Sequence, residues 1–68
     1  MNEETLNLSI RKFLKTVGVN AQRDIEHAVA SAIAEGRAKG AEVFPARMTL
    51  EIAGLALTVK FDGDIRLE

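Results

Sequence analysis

At 68 residues, 47% hydrophobic and 28% charged, the chain has the length and composition of one small folded domain and not of a disordered segment. It has no cysteine, which excludes disulfides, thiolate metal sites and cysteine nucleophiles. Nine cations against ten anions give a formal net charge of −1, which excludes the positive field of a non-specific nucleic-acid binder.

No uncharged run approaches the ~18 apolar residues of a bilayer span, and there is no signal-peptide layout, so a cytosolic setting is expected. Surface scaling lets a chain this small bury only roughly 60% of its extended area. Self-association is therefore a reasonable further source of burial.

In chain order, Leu6, Ile10, Phe13, Leu14 and Val17 recur at helical spacing and predict an amphipathic helix over 3–17. Leu6, Leu8 and Ile10 also alternate as a strand would, but the later positions fit only the helix. Glu3 and Glu4 stand at its start and Arg11, Lys12 and Lys15 toward its end, as the helix dipole favours. Gly18 is suited to the left-handed residue after a helix, with Val19 touching Leu14, so a stop is expected there. Asn20 is then an N-cap for a second helix over 20–39, with Ile25, Ala28, Val29, Ala32, Ile33 and Gly36 on one face and Gly40 at the end. Two helices joined this closely form an antiparallel hairpin.

Ala41 to Pro45 reads as a linker, after which the period changes to two. Met48, Leu50 and Ile52, then Leu55, Leu57, Val59 and Phe61, then Ile65 and Leu67 alternate with polar residues, which predicts strands over 46–52, 55–61 and 64–68. A two-residue Ala53-Gly54 loop pairs Ile52 with Leu55, Leu50 with Leu57 and Met48 with Val59. A three-residue Asp62-Gly63-Asp64 loop pairs Phe61 with Ile65. The expected fold is α+β, a two-layer ααβββ domain over residues 1–68. Its helical hairpin (1–40) packs on a three-stranded antiparallel meander (46–68). The core expected from this packing is Leu6, Ile10, Phe13, Leu14, Val17, Ile25, Val29, Ile33, Met48, Leu50, Ile52, Leu57, Val59, Phe61, Ile65 and Leu67.

Candidate chemistry is sparse. His27 is the one imidazole and has Asp24 three residues before it, but a metal site needs a third ligand; a plain surface histidine is expected. Ser9 and Ser31 lie in helical segments without a nucleophile elbow, and the glycines fit neither a phosphate loop nor a dinucleotide fingerprint. A helix-turn-helix alignment on Gly18 puts Asp24 at a core position and fails. No catalytic residue, metal or cofactor is assigned, and the expected answer to whether this is an enzyme is no.

The predicted register sets Arg47 opposite Lys60 and Lys60 opposite Arg66, three cations in one row on the outer sheet face. Like charges directly opposite are destabilising, so an anion or an acidic partner is expected there unless the side chains splay into water. Leu8, among Arg11, Lys12 and Lys15 on the polar side of the first helix, is a possible secondary patch. The edge strands 46–52 and 64–68 hold no internal proline, so edge-to-edge homodimerisation is expected to be open to them.

The segment SIRKFLKTVGVNAQRDIE, residues 9–26, together with the Met-Asn-Glu-Glu opening, Gly54-Leu55 and Asp62-Gly63, resembles a family of short bacterial proteins known as a domain of unknown function of about 70 residues. The resemblance implies a small cytoplasmic bacterial protein and supplies no catalytic residues. The expected function is that of a small non-enzymatic protein-interaction module, with homodimerisation as one form of it and no membrane partner. The alternative is anion or nucleic-acid binding through Arg47, Lys60 and Arg66.

Overall fold

The structure, a computed structural model, describes residues 1–68 and comprises two compact units, Met1–Arg37 and Ala38–Glu68. The first is one helix, α1 (Glu3–Ala34), and the second is an antiparallel hairpin of β1 (Val43–Ile52) and β2 (Leu57–Arg66) joined through a short 3₁₀ turn at Ala53–Leu55. The expected helical hairpin and three-stranded meander are both absent: the breaks expected at Gly18 and at Asp62-Gly63-Asp64 lie inside continuous elements, whereas the one expected at Ala53-Gly54 is a turn.

The start of α1 is set by Asn2, whose side-chain oxygen accepts the Thr5 amide at 3.1 Å, while Glu3 and Glu4 occupy the positive end of the dipole. Ser9 and Thr16 return their hydroxyls to the carbonyls of Leu6 and Lys12, so neither hydroxyl competes for the ladder. Gly18 is helical, since only Gly36, Gly40 and Ala56 have positive φ. A helix-interior glycine costs about 1 kcal/mol relative to alanine. That is too little to stop a helix whose neighbours all favour it and which meets no proline before Pro45. Val17, Ala21 and Ile25 carry the apolar stripe straight across the supposed break.

The actual stop is eighteen residues later by the same chemistry. Gly36 takes φ 77 and donates to the Ile33 carbonyl at 3.1 Å, and the Arg37 amide reaches the Ala32 carbonyl at 2.8 Å, which together form a Schellman cap. Arg37 also pairs with the Glu35 carboxylate.

In the second unit the Glu42 carboxylate ties the entry to β1. It accepts the amides of Lys39 at 2.7 Å, Gly40 at 2.9 Å and Ala41 at 3.1 Å, and the Glu42 carbonyl accepts Leu67 at the far end of β2. Ten residue pairs then run from Val43 opposite Arg66 to Ile52 opposite Leu57.

Relative to the expected register, β2 is displaced by two residues, with Leu50 opposite Val59 and Met48 opposite Phe61. A two-residue loop would need positive φ at Ala53, which a side chain disfavours. The four-residue loop puts the left-handed residue at Ala56 (φ 51), whose amide bonds back to the Ala53 carbonyl. A shift of two keeps every side chain on its original face. The Asp62-Gly63 dipeptide lies inside β2, with Gly63 opposite Ala46. Running straight through it gains pairs with Val43, Phe44 and Pro45, the segment read as a linker. Both strands of a two-stranded sheet are edges, so Pro45 is tolerated.

Ala38 alone falls into the buried range, at 3% exposure. Of the sixteen expected core residues, Val17, Val29, Leu50, Val59, Ile65 and Leu67 are half-buried and the other ten are exposed. A lone helix has no second element within its unit to cover its stripe, and a two-stranded sheet has one on neither face.

Two outcomes follow from this local structure. Because Gly18 is helical and nothing lies within 4 Å of where its Cβ would be, Gly18→Ala is expected to stabilise the helix by about 1 kcal/mol in thermal unfolding followed by circular dichroism. A left-handed Gly18 would give a loss instead. Hydrogen bonds from the backbone amides of Lys39 and Gly40 hold the Glu42 carboxyl below its ordinary value of 4.5. A group with a depressed folded pKa contributes stability above its unfolded pKa and loses it as pH falls through the folded one. Acid titration should therefore weaken the wild-type hairpin across the range below about pH 4.5, and Glu42→Gln should flatten that part of the stability profile.

Candidate interaction surfaces

The alternation in β1 and β2 sorts side chains cleanly. Directly opposed residues in an antiparallel pair share a face, so Phe44 with Ile65, Ala46 with Gly63, Met48 with Phe61, Leu50 with Val59 and Ile52 with Leu57 form a face without a single polar side chain. Phe61 is 56% exposed and Met48 46%, with Phe44, Ile52 and Leu57 also exposed. The opposite face carries Arg47, Thr49, Glu51, Thr58, Lys60, Asp62, Asp64 and Arg66 along with Val43 and Pro45.

On that polar face the expected row of three cations does not form. The two-residue displacement places Asp62 opposite Arg47, Thr49 opposite Lys60 and Val43 opposite Arg66. Arg47 donates from Nε to Asp62 Oδ1 at 2.7 Å, and its side chain is 58% exposed. The like-charge strain that motivated an anion site is replaced by one neutralised pair. The edges differ from expectation as well: β1 begins at Val43, so Pro45 lies inside it and offers no N–H to a strand pairing on the free edge.

Helix α1 carries the second apolar surface. Leu6, Ile10, Leu14, Val17, Ala21, Ile25, Ala28 and Ala32 follow a repeating 4-4-3 spacing, an eleven-residue period that holds one line along a nearly straight helix. Phe13, 53% exposed, flanks it. Leu8, Arg11, Lys12 and Lys15 do share a face, at i, i+3, i+4 and i+7 on the far side of the helix, and Leu8 is 63% exposed. Val19, eleven residues on from Leu8, joins that side. The sequence reading missed it because it placed Val19 in a turn. His27 is exposed on α1. No group of three or more His, Asp or Glu side chains is placed to hold a metal ion.

These elements define a class: one long amphipathic helix followed by a two-stranded hairpin, each with an apolar face that its own unit does not cover. The chain belongs to a family of unknown function (DUF6494), whose model matches residues 1–68. No curated protein and no solved structure matches it. No helix is long and apolar enough to cross a membrane.

The Arg47–Asp62 pair is exposed and screened, so a double-mutant cycle with Arg47→Ala and Asp62→Ala should give a coupling of about 0.2–1 kcal/mol that shrinks with added salt. A coupling of zero at low salt would remove the pair as a determinant of register.

Proposed function

We propose that this chain is a small non-enzymatic protein-interaction module, in which the apolar hairpin face and the helix stripe are the contact surfaces. The observation that carries the reading is the all-apolar face from Phe44 and Ile65 at one end to Ile52 and Leu57 at the other, exposed at its centre. Exposed apolar surface of this continuity marks a contact site on a folded protein. Clean segregation of polar and apolar residues is what a half-covered antiparallel sheet requires. The bacterial and cytosolic setting stays part of the proposal, on the family resemblance and the composition. Anion or nucleic-acid binding loses its motive, since Arg47 is engaged by Asp62 and the cation row is not assembled.

The test combines association with dye binding. At micromolar concentration the folded chain is expected either to be associated or, where single, to bind a hydrophobic dye, with Phe61→Lys reducing whichever is found. A single, folded chain that takes up no dye contradicts the reading.

A further inference from the structure

We propose that the free edge of β2 pairs antiparallel with the same edge of a second copy of this chain, about a two-fold axis at Phe61, to make one four-stranded sheet. The inference rests on the interaction-module reading and adds to it a backbone surface and its occupant.

The first argument is which backbone groups are free. The Leu67 amide donates to the Glu42 carbonyl, so these two residues form a hydrogen-bonded pair, and in an antiparallel ladder such pairs alternate. Counting along the register from there, Thr58, Lys60, Asp62, Asp64 and Arg66 turn their amides and carbonyls away from β1. The sheet has two strands and the chain holds no third to pair with them. On β1 the outward residues are Val43, Pro45, Arg47, Thr49 and Glu51, and Pro45 has no amide to give. The β2 edge is the unbroken one, with neither a proline nor a bulge to block pairing.

The second argument selects the occupant. Antiparallel pairing about a two-fold axis sets a strand against its own reverse, outward residues meeting outward residues. An axis at Lys60, Asp62 or Asp64 sets that charge against itself, and one at Gly63 sets Asp62 against Asp64 and Lys60 against Arg66. Axes nearer either end leave half of β2 or more unpaired. The axis at Phe61 pairs residues 57–65 and opposes no like charges. Each Lys60 then meets Asp62 of the other copy, and each Thr58 meets Asp64. Within its own hairpin Lys60 faces only Thr49, so the second copy supplies the carboxylate it lacks.

On the other face the same axis sets Phe61 against Phe61, Val59 against Gly63 and Leu57 against Ile65, which joins two apolar faces into one. A two-stranded hairpin is marginal alone, whereas three or more strands with an apolar face are not. On β1 a register about Thr49 also opposes unlike charges, Arg47 against Glu51. It stops where the chain turns at Ala53, pairs only residues 46–52, and draws on Arg47, which Asp62 already holds.

Proline at outward positions tests the edge, because Pro45 occupies such a position with the ladder intact. Sedimentation equilibrium at about 100 μM, where a micromolar Kd leaves most chains paired, should return twice the single-chain mass. Lys60→Pro removes one donor from each copy and should weaken association about tenfold or more. Thr49→Pro, the same change on the edge of β1, should leave association unaltered. Protection of the β1–β2 ladder amides from exchange checks that both variants keep the hairpin. Equal effects of the two prolines, or the reverse order, overturn the proposal.

Charge tests the register. Lys60→Asp alone and Asp62→Lys alone each oppose like charges twice across the axis, so each should associate about tenfold more weakly than the wild type, and an equal mixture of the two should regain the loss. A mixture that associates no better than its components, with both hairpins intact, overturns the axis at Phe61. An associated chain that Lys60→Pro leaves unchanged, or a folded single chain that binds the hydrophobic dye, overturns the edge pairing but leaves the interaction module standing; a single chain that binds no dye overturns both.

Discussion

The constraint behind everything else is that neither unit of this protein can cover its own apolar face. A single helix has a stripe with nothing opposite it, and a two-stranded sheet has two faces with no second layer in its own unit. Burial of apolar area is the main favourable term in folding, while ordering each residue costs roughly 1–2 kcal/mol. Isolated helices and isolated hairpins are marginal in water for this reason. Phe13, Phe61, Met48 and Leu14, all about half exposed, are the visible form of that deficit.

Local chemistry nevertheless specifies both units sharply. Asn2 caps the start of α1, and Gly36 with Arg37 closes its end. Glu42 gathers three amides before β1, and Ala56 accepts a left-handed conformation so that ten pairs can form in the register that keeps polar and apolar residues apart. Such well-determined elements, each with an apolar side that its own unit leaves uncovered, suit the contact role proposed for them. A preformed surface also lowers the ordering cost of docking.

The sequence conveyed the faces better than it conveyed the connections. Helical spacing around Leu6–Val17 and Ile25–Ile33 identified helix correctly, and period two from Met48 onward identified strand, because both patterns follow from where successive Cβ atoms point. The errors lay at glycines. Gly18 was assigned a left-handed cap that Gly36 in fact provides, and Gly63 was assigned a turn although it sits inside β2. A glycine permits a turn without requiring one. Whether it turns depends on the pairing gained by continuing, which for Gly63 includes Val43, Phe44 and Pro45. The eleven-residue spacing through Val17, Ala21 and Ile25 was a readable signal that α1 continues.

The candidate site shows the same division. A register error of two residues preserves faces and changes neighbours, so the apolar side of the hairpin was legible while the cation row was not. Asp62, read as a turn residue, is the one that meets Arg47. The apolar faces were therefore visible in the alternation, but the alternation alone does not state what covers them.

The most direct measurement is the uptake of a hydrophobic dye by the folded chain, read beside its molecular mass in solution. A chain whose apolar faces serve for contact is expected to be associated or, where single, to take up the dye. A single chain, with the helix and hairpin intact, that takes up none would contradict the account.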